Sequence, residues 1–290
     1  MNSNTRFIWR SSMIALVIIS LNILLPVSAS QSAKPHTIFS QARSPLVAIN
    51  IFDAIRGTVQ YIQVSNISDE QEVAIGQQTN EQVLSQYQLH NNAQIQEYVS
   101  NLGQELVTNS DSRDIPFNFQ VVASDEINAF ATPGGFVYVT TGLLKAAENR
   151  AQLASVVAHE IAHINERHGV KNLQKAVAAQ GIASTVGVDT NTLAQVAYQL
   201  TVDLPQSRSF EYEADRSGLI ILQQTGYPAE AFAQFLTKLE DSGGTPEFLR
   251  THPSSENRIE AVTQKAQASE AANNKGLDNA EYQSNVLALL

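Results

Sequence analysis

Cysteine is absent from the 290 residues. That excludes disulfides and every thiolate metal site, so packing must hold the fold and nitrogen or oxygen must hold any metal. Basic residues are scarce as well: 18 lysines and arginines face 28 aspartates and glutamates, for a net charge of −10. This balance argues against nucleic acid and against adhesion to anionic lipid surfaces. Beyond Val27 no stretch is long and apolar enough to span a bilayer. Histidine occurs six times, and two of the six stand four residues apart.

What is present begins with 43% apolar residues, enough for one sizeable domain with a substantial core. Arg6 and Arg10 precede an uncharged apolar run from Met13 to Val27, which ends in the small residues of VSAS. A basic start, an apolar stretch of this length and a small-residue end describe a secretory signal peptide over 1–29, with an uncleaved anchor as the alternative. Its removal takes away two basic residues and no acidic one, leaving the mature chain two charges more negative. An exported chain without cysteine fits a periplasm or bacterial cell envelope better than a disulfide-rich extracellular setting.

Residues 30–45 read as a polar lead and 46–64 as apolar without a clean period, so 30–65 forms an N-terminal extension of open structure. Ser68 and Gln71 have capping-box spacing, with Asp69 and Glu70 in a first helical turn. Ile95, Val99, Leu102 and Leu106 recur at helical intervals and predict a helix over 92–108. FNFQVVAS (117–124) and FVYVTTG (136–142) read as two short strands joined by a loop. A helix from about Asn149 to His168 follows, with Gly169 placed to end it. Residues 176–204 are ambiguous and a candidate lid. Further helices are expected over 208–225, 229–240 and 255–268, then a polar tail at 271–290. The sketch is α+β and mostly helical, with one small antiparallel sheet and a main domain over 66–270.

HEIAH at 159–163 carries the chemistry. Helical residues four apart differ by about 40° in azimuth, so His159 and His163 project from one face and can grip one ion. Zinc accepts nitrogen and oxygen in a tetrahedral set and keeps one position for water in a catalytic site. Glu160, next to both histidines, reaches that water and accepts its proton. His168 lies roughly 140° around a continuous helix from His163 and is refused as a third ligand. The longer metzincin pattern fails too, since Glu166 and Gly169 stand where it needs glycine and histidine. Glu211 and Asp215, in SRSFEYEADRSG, share a helix face, and Glu213 lies about 200° from Glu211. Such a pair offers one carboxylate ligand and one hydrogen-bond partner for a ligating imidazole.

Five ordered blocks, SDEQEVAIG, NAFATPGGFVYVTTGLL, VVAHEIAHINERHG, SRSFEYEADRSG and THPSSENRI, resemble the gluzincin metallopeptidases of family forty-eight, the group of HtpX, BepA and the CaaX prenyl-protein proteases. The resemblance runs from about Ser68 to Ile259 and implies a zincin-like core. It makes His159, His163 and Glu211 the ligands of one zinc ion, Glu160 the general base and Asp215 the partner of a ligating histidine. Asn128, Ala129, Phe130, Gly134, Gly135, Phe136 and Val137 fall in the loop and edge strand that bind extended substrate, where backbone pairing gives affinity with little sequence preference. His252 matches a family histidine near the zinc, either stabilising the oxyanion or holding the open position in a latent state. Arg208 and Arg258 are expected in ion pairs nearby. Membrane members have several spans, which argues against a prenylated substrate here. Some envelope members carry a helical-repeat domain, for which this chain ends too soon. The implied function is a zinc endopeptidase acting on misfolded or unassembled envelope proteins, through unfolded or extended polypeptide. The rivals are a zinc-containing assembly factor with little proteolysis and an amidase of cell-wall peptides. Peripheral membrane association and oligomeric state stay open.

Overall fold

The computed structural model describes residues 61–179, 187–253, 256–267 and 274–290, all within the unit Ile49–Leu290. The signal peptide, the lead over 30–60 and Ser254 and Ser255 lie outside the described residues. Helix α1 (Asp69–Gln86) starts as its sequence predicts. The Ser68 hydroxyl accepts from the Gln71 N–H at 3.3 Å, and the Gln71 side chain accepts from the Ser68 N–H at 3.0 Å. Helix α2 (Ala93–Thr108) buries Ile95, Val99, Leu102 and Leu106 on the face their spacing defines.

Strands β1 (Asn118–Val122), β2 (Ala129–Thr132) and β3 (Phe136–Thr140) form one sheet. Its order is β1-β3-β2, with β3 parallel to β1 and antiparallel to β2, so the sheet is mixed rather than wholly antiparallel. The cause is the extra strand β2, which turns back through TPGG onto β3 and leaves β3 central. That turn demands its glycines. Gly134 and Gly135 hold φ of 78° and 94°, and a Cβ on Gly135 would stand 2.0 Å from the Pro116 carbonyl oxygen.

After the short helix α3 (Thr141–Ala146), helix α4 (Arg150–Asn165) carries HEIAH and is buried from Ala151 to Ile164. A helix apolar on all sides must be enclosed, and α4 packs against α2, β2 and two later helices, α7 (Arg208–Thr225) and α8 (Glu230–Asp241). It ends at Asn165, three residues earlier than expected, because Arg167 rather than Gly169 takes the left-handed conformation (φ 56°). The cost is offset locally. Arg167 Nη2 donates to the Ile67 carbonyl at 2.6 Å and lies 3.0 Å from Glu72 Oε2. Gly169 instead sits inside the next helix, α5 (His168–Ala179), where a Cβ would meet Pro133 Cγ at 2.8 Å.

Of 176–204, the described part comprises the end of α5, a two-residue strand (Val188–Asp189) paired with Tyr61–Ile62, helix α6 (Thr190–Tyr198) and a π-helical turn over Gln199–Asp203. Ile62, Val64, Ile67, Ile75, Leu173 and Leu193 make a second apolar cluster here, which gives Ile62 and Val64, the described apolar residues at the end of the run over 46–64, a place in the packing. Helices α9 (Glu247–Thr251), α10 (Glu256–Gln267) and α11 (Asn279–Asn285) complete the chain. The residues read as a polar tail include α11, whose Tyr282 is buried in the main core together with Val286. No helix among the described residues is long and apolar enough to cross a membrane.

Candidate metal centre

Helix α4 presents His159, Glu160 and His163, all buried. Helix α7 crosses closely beside it, because Gly218 brings no side chain: a Cβ there would lie 3.2 Å from the Cα of His159. This approach sets Glu211 opposite the two histidines. Its Oε1 lies 3.4 Å from His163 Nε2 and its Oε2 3.5 Å from His159 Nε2, while the two Nε2 atoms are 3.1 Å apart. His252, just after α9, closes the group with Nδ1 3.2 Å from Glu211 Oε1 and 3.4 Å from His159 Nε2. Its Nε2 lies 3.4 Å from the Ala129 carbonyl, with which it can pair only as the donor, and Nδ1 faces inward. One donor atom from each of His159, His163, Glu211 and His252 lies within 4.8 Å of the others.

A divalent cation fits this donor set. Burial opposes charge on His159, but Asp215 and Glu211 outweigh it and hold the ring's pKa up at about 9; the carboxylates thus call for positive charge at the centre. Burial drives His163 down to about 3 against the pull of Glu211, leaving a neutral imidazole. Burial also resists ionisation of Glu211, yet His252, Arg258 and both α4 histidines hold it well below the usual carboxylate range. Glu160 behaves differently. Burial raises its pKa, only partly offset by His252 and His159, and neither of its oxygens has a hydrogen-bond partner. A buried carboxylate without partners is costly and marks a group kept for a proton or a ligand.

Asp215 Oδ1 lies 3.1 Å from His159 Nδ1. Arg258, buried on α10, grips Asp215 with two donors, Nε to Oδ2 at 2.6 Å and Nη2 to Oδ1 at 2.7 Å. Its Nη1 also donates to the His252 carbonyl at 3.1 Å and lies 2.8 Å from Glu211 Oε2. Arg208, expected in a similar pair, is exposed and forms no ion pair among the described residues.

His168 is not one of the four converging residues, yet it does not point away. The break at Arg167 voids the azimuth argument and turns the ring back, placing Nδ1 2.8 Å from His163 Nδ1 and Nε2 3.1 Å from Glu213 Oε2. The missed signal was the second histidine of the run HINERH, read on too long a helix.

The expected substrate segment divides. Asn128 accepts a hydrogen bond from Thr251 Oγ1 at 3.4 Å, and Ala129 and Phe130 lie on β2, the sheet's edge strand. Phe130, Thr132 and Thr201 line a small pocket with Glu160, His163 and His252. Phe136 and Val137 lie on central β3, with both sides paired, while Gly134 and Gly135 face Glu72 and Pro116. Strand β2 also contacts the turn Gln199–Asp203.

A mostly helical fold with a small sheet beside an HExxH helix, and a carboxylate supplied by a second helix, defines a zincin-like metallopeptidase core. The chain belongs to peptidase family M48, whose family model matches residues 93–266. It is 35% identical over 212 residues to the beta-barrel assembly-enhancing protease of Escherichia coli K12, covering 67% of this chain and 44% of that protein. A protein of the same name from Yersinia pestis is 32% identical, covering 70% and 45%. The mitochondrial metalloendopeptidase OMA1 of Schizosaccharomyces pombe is 28% identical, covering 70% and 65%. The chain spans less than half the length of these bacterial relatives.

Proposed function

We propose that the chain is a zinc-dependent endopeptidase. The observation that carries this reading is Glu160, buried with both carboxylate oxygens unpartnered, beside the converging His159, His163 and Glu211. Those three residues would hold the ion, with Asp215 supporting His159. When bound, zinc supplies Lewis acidity that polarises a carbonyl and eases the deprotonation of water. Glu160 takes the proton of the attacking water on a carboxylate oxygen and hands it to the leaving amine. The signal-peptide pattern and the relatives named for β-barrel assembly favour envelope proteins as substrates, in unfolded or unassembled form. Casein should be cut by the purified chain, cutting should stop with a chelator and return with zinc. Cleavage indifferent to the chelator would sink the proposal, and activity confined to cell-wall peptides would favour the amidase.

On this reading His252 would stand where the attacking water goes, a placement supported by its Nδ1 beside Glu211 and His159 and its Nε2 3.5 Å from Glu160 Oε1. It therefore acts as an internal plug, and His252→Ala should raise basal casein cleavage severalfold. A fall would assign it to the oxyanion instead, and an unchanged rate would remove it from the mechanism.

A further inference from the structure

The two histidines of α4 turn one nitrogen toward the centre and the other outward, and the outward nitrogens meet different supports. His159 faces Asp215, a buried carboxylate locked by Arg258. His163 faces another imidazole, that of His168, at 2.8 Å. We propose that His168 and Glu213 are positioning residues for His163, a relay that fixes which of its nitrogens can bind the ion. This rests on the zinc reading above.

Proton placement decides which nitrogen of His163 can ligate. Two ring nitrogens at this distance share a single hydrogen. Were it on His168 Nδ1, the His163 proton would sit on Nε2, aimed at the centre, and the ring could not ligate. With the hydrogen on His163 Nδ1, the Nε2 lone pair faces Glu211 and His159 as a ligand needs. Glu213 selects between the two arrangements. Its carboxylate only accepts, and it lies 3.1 Å from His168 Nε2, so the His168 proton is drawn to Nε2 and Nδ1 becomes the acceptor. Lys171 Nζ, 3.4 Å from the same Oε2, favours the ionised carboxylate. The His168 ring is 1% exposed and lies parallel to Phe210, 4.1 Å between centroids and 12° between planes, so its two nitrogens cannot exchange places freely. All of this depends on the helix ending at Asn165: the left-handed Arg167 swings His168 over its neighbour.

The test is the zinc dissociation constant of the purified chain, read by competition with a chelator, together with thermal unfolding of the metal-free form. His168→Phe keeps a flat aromatic ring that can stack on Phe210, is somewhat larger, and offers no acceptor. It should weaken zinc binding about 10–100-fold. His168→Asn brings a side-chain carbonyl near the lost Nδ1 and should recover most of that loss, a rescue that packing alone does not explain. Glu213→Ala, at a partly exposed side chain, should weaken zinc in the same direction without unfolding the protein. It decides the matter should His168→Phe not fold. Wild-type zinc binding in both His168→Phe and Glu213→Ala, or a loss in His168→Asn equal to that in His168→Phe, overturns the relay. His163→Ala is the control on the underlying reading: if it binds zinc as the parent does, the ligand assignment itself fails, whatever the His168 variants do.

Discussion

Glu160→Gln should keep its zinc and lose about 10²–10⁴-fold in cleavage of an unfolded substrate, the usual worth of a positioned proton acceptor. The substitution holds the volume of a residue 1% exposed on α4, and Glu160 is not among the four side chains whose donor atoms converge. What it removes is a carboxylate whose two oxygens have no hydrogen-bond partner and whose pKa burial has raised. An amide cannot take the proton that the leaving amine must receive. Metal analysis and a casein assay on the same preparation check both halves. A rate within tenfold of the parent would remove Glu160 as the base, and loss of zinc would make it a ligand. If the variant still restores the cellular function in full, binding rather than cutting is the task, and the assembly-factor reading wins.

The second large effect is on stability. Arg258→Met should cost about 3–5 kcal/mol, because it strands carboxylates that are buried and ionised in the parent. Arg258 is 1% exposed, holds both oxygens of Asp215 and lies 2.8 Å from Glu211 Oε2. For a domain of this size the melting point should fall by roughly 2–4 °C per kcal/mol. Denaturant titration of the metal-free protein measures it, and a loss under about 1 kcal/mol would show that the pair is dispensable. Adding Asp215→Leu should return part of the stability, since an apolar pair strands less charge than a half-broken ionic one. The pH dependence has a definite sign. Burial resists the Asp215 charge, but Arg258 and His159 hold its pKa below the ordinary value. Its contribution is therefore complete above that ordinary value and drains away as the pH falls through the lower folded one, so parent and variant should converge in acid.

The helices and the centre were legible where local chemistry spoke twice. HEIAH carries both its helical spacing and its residue types, and Glu211 with Asp215 repeats that spacing on α7. Ser68 and Gln71 name their own cap. Three features resisted for separate reasons. Strand β2 is AFAT, too short and too alanine-rich to announce a strand, so the sheet's order stayed hidden. Sequence points to Gly169 as the end of α4 because glycine takes positive φ freely, whereas Arg167 takes it with the support of Ile67 and Glu72, contacts some hundred residues away in sequence. Helix α11 is polar along most of its length, and its hold on the core comes from Tyr282, whose hydroxyl donates to the Leu144 carbonyl at 2.9 Å.

Strand β2 lies at the sheet's border and touches the turn Gln199–Asp203, and the chain just beyond that turn is tied down by Gln206 N–H donating to the Thr251 carbonyl at 2.8 Å. On the proposed reading, in which extended substrate pairs with β2, a guest peptide would have to shift this neighbour to lie alongside. Folded proteins keep their own strands engaged and have little to offer in such a contest, whereas a loosened chain has many free lengths to try. Discrimination between sound and damaged clients would then come from who can win the berth, with no need to read their side chains.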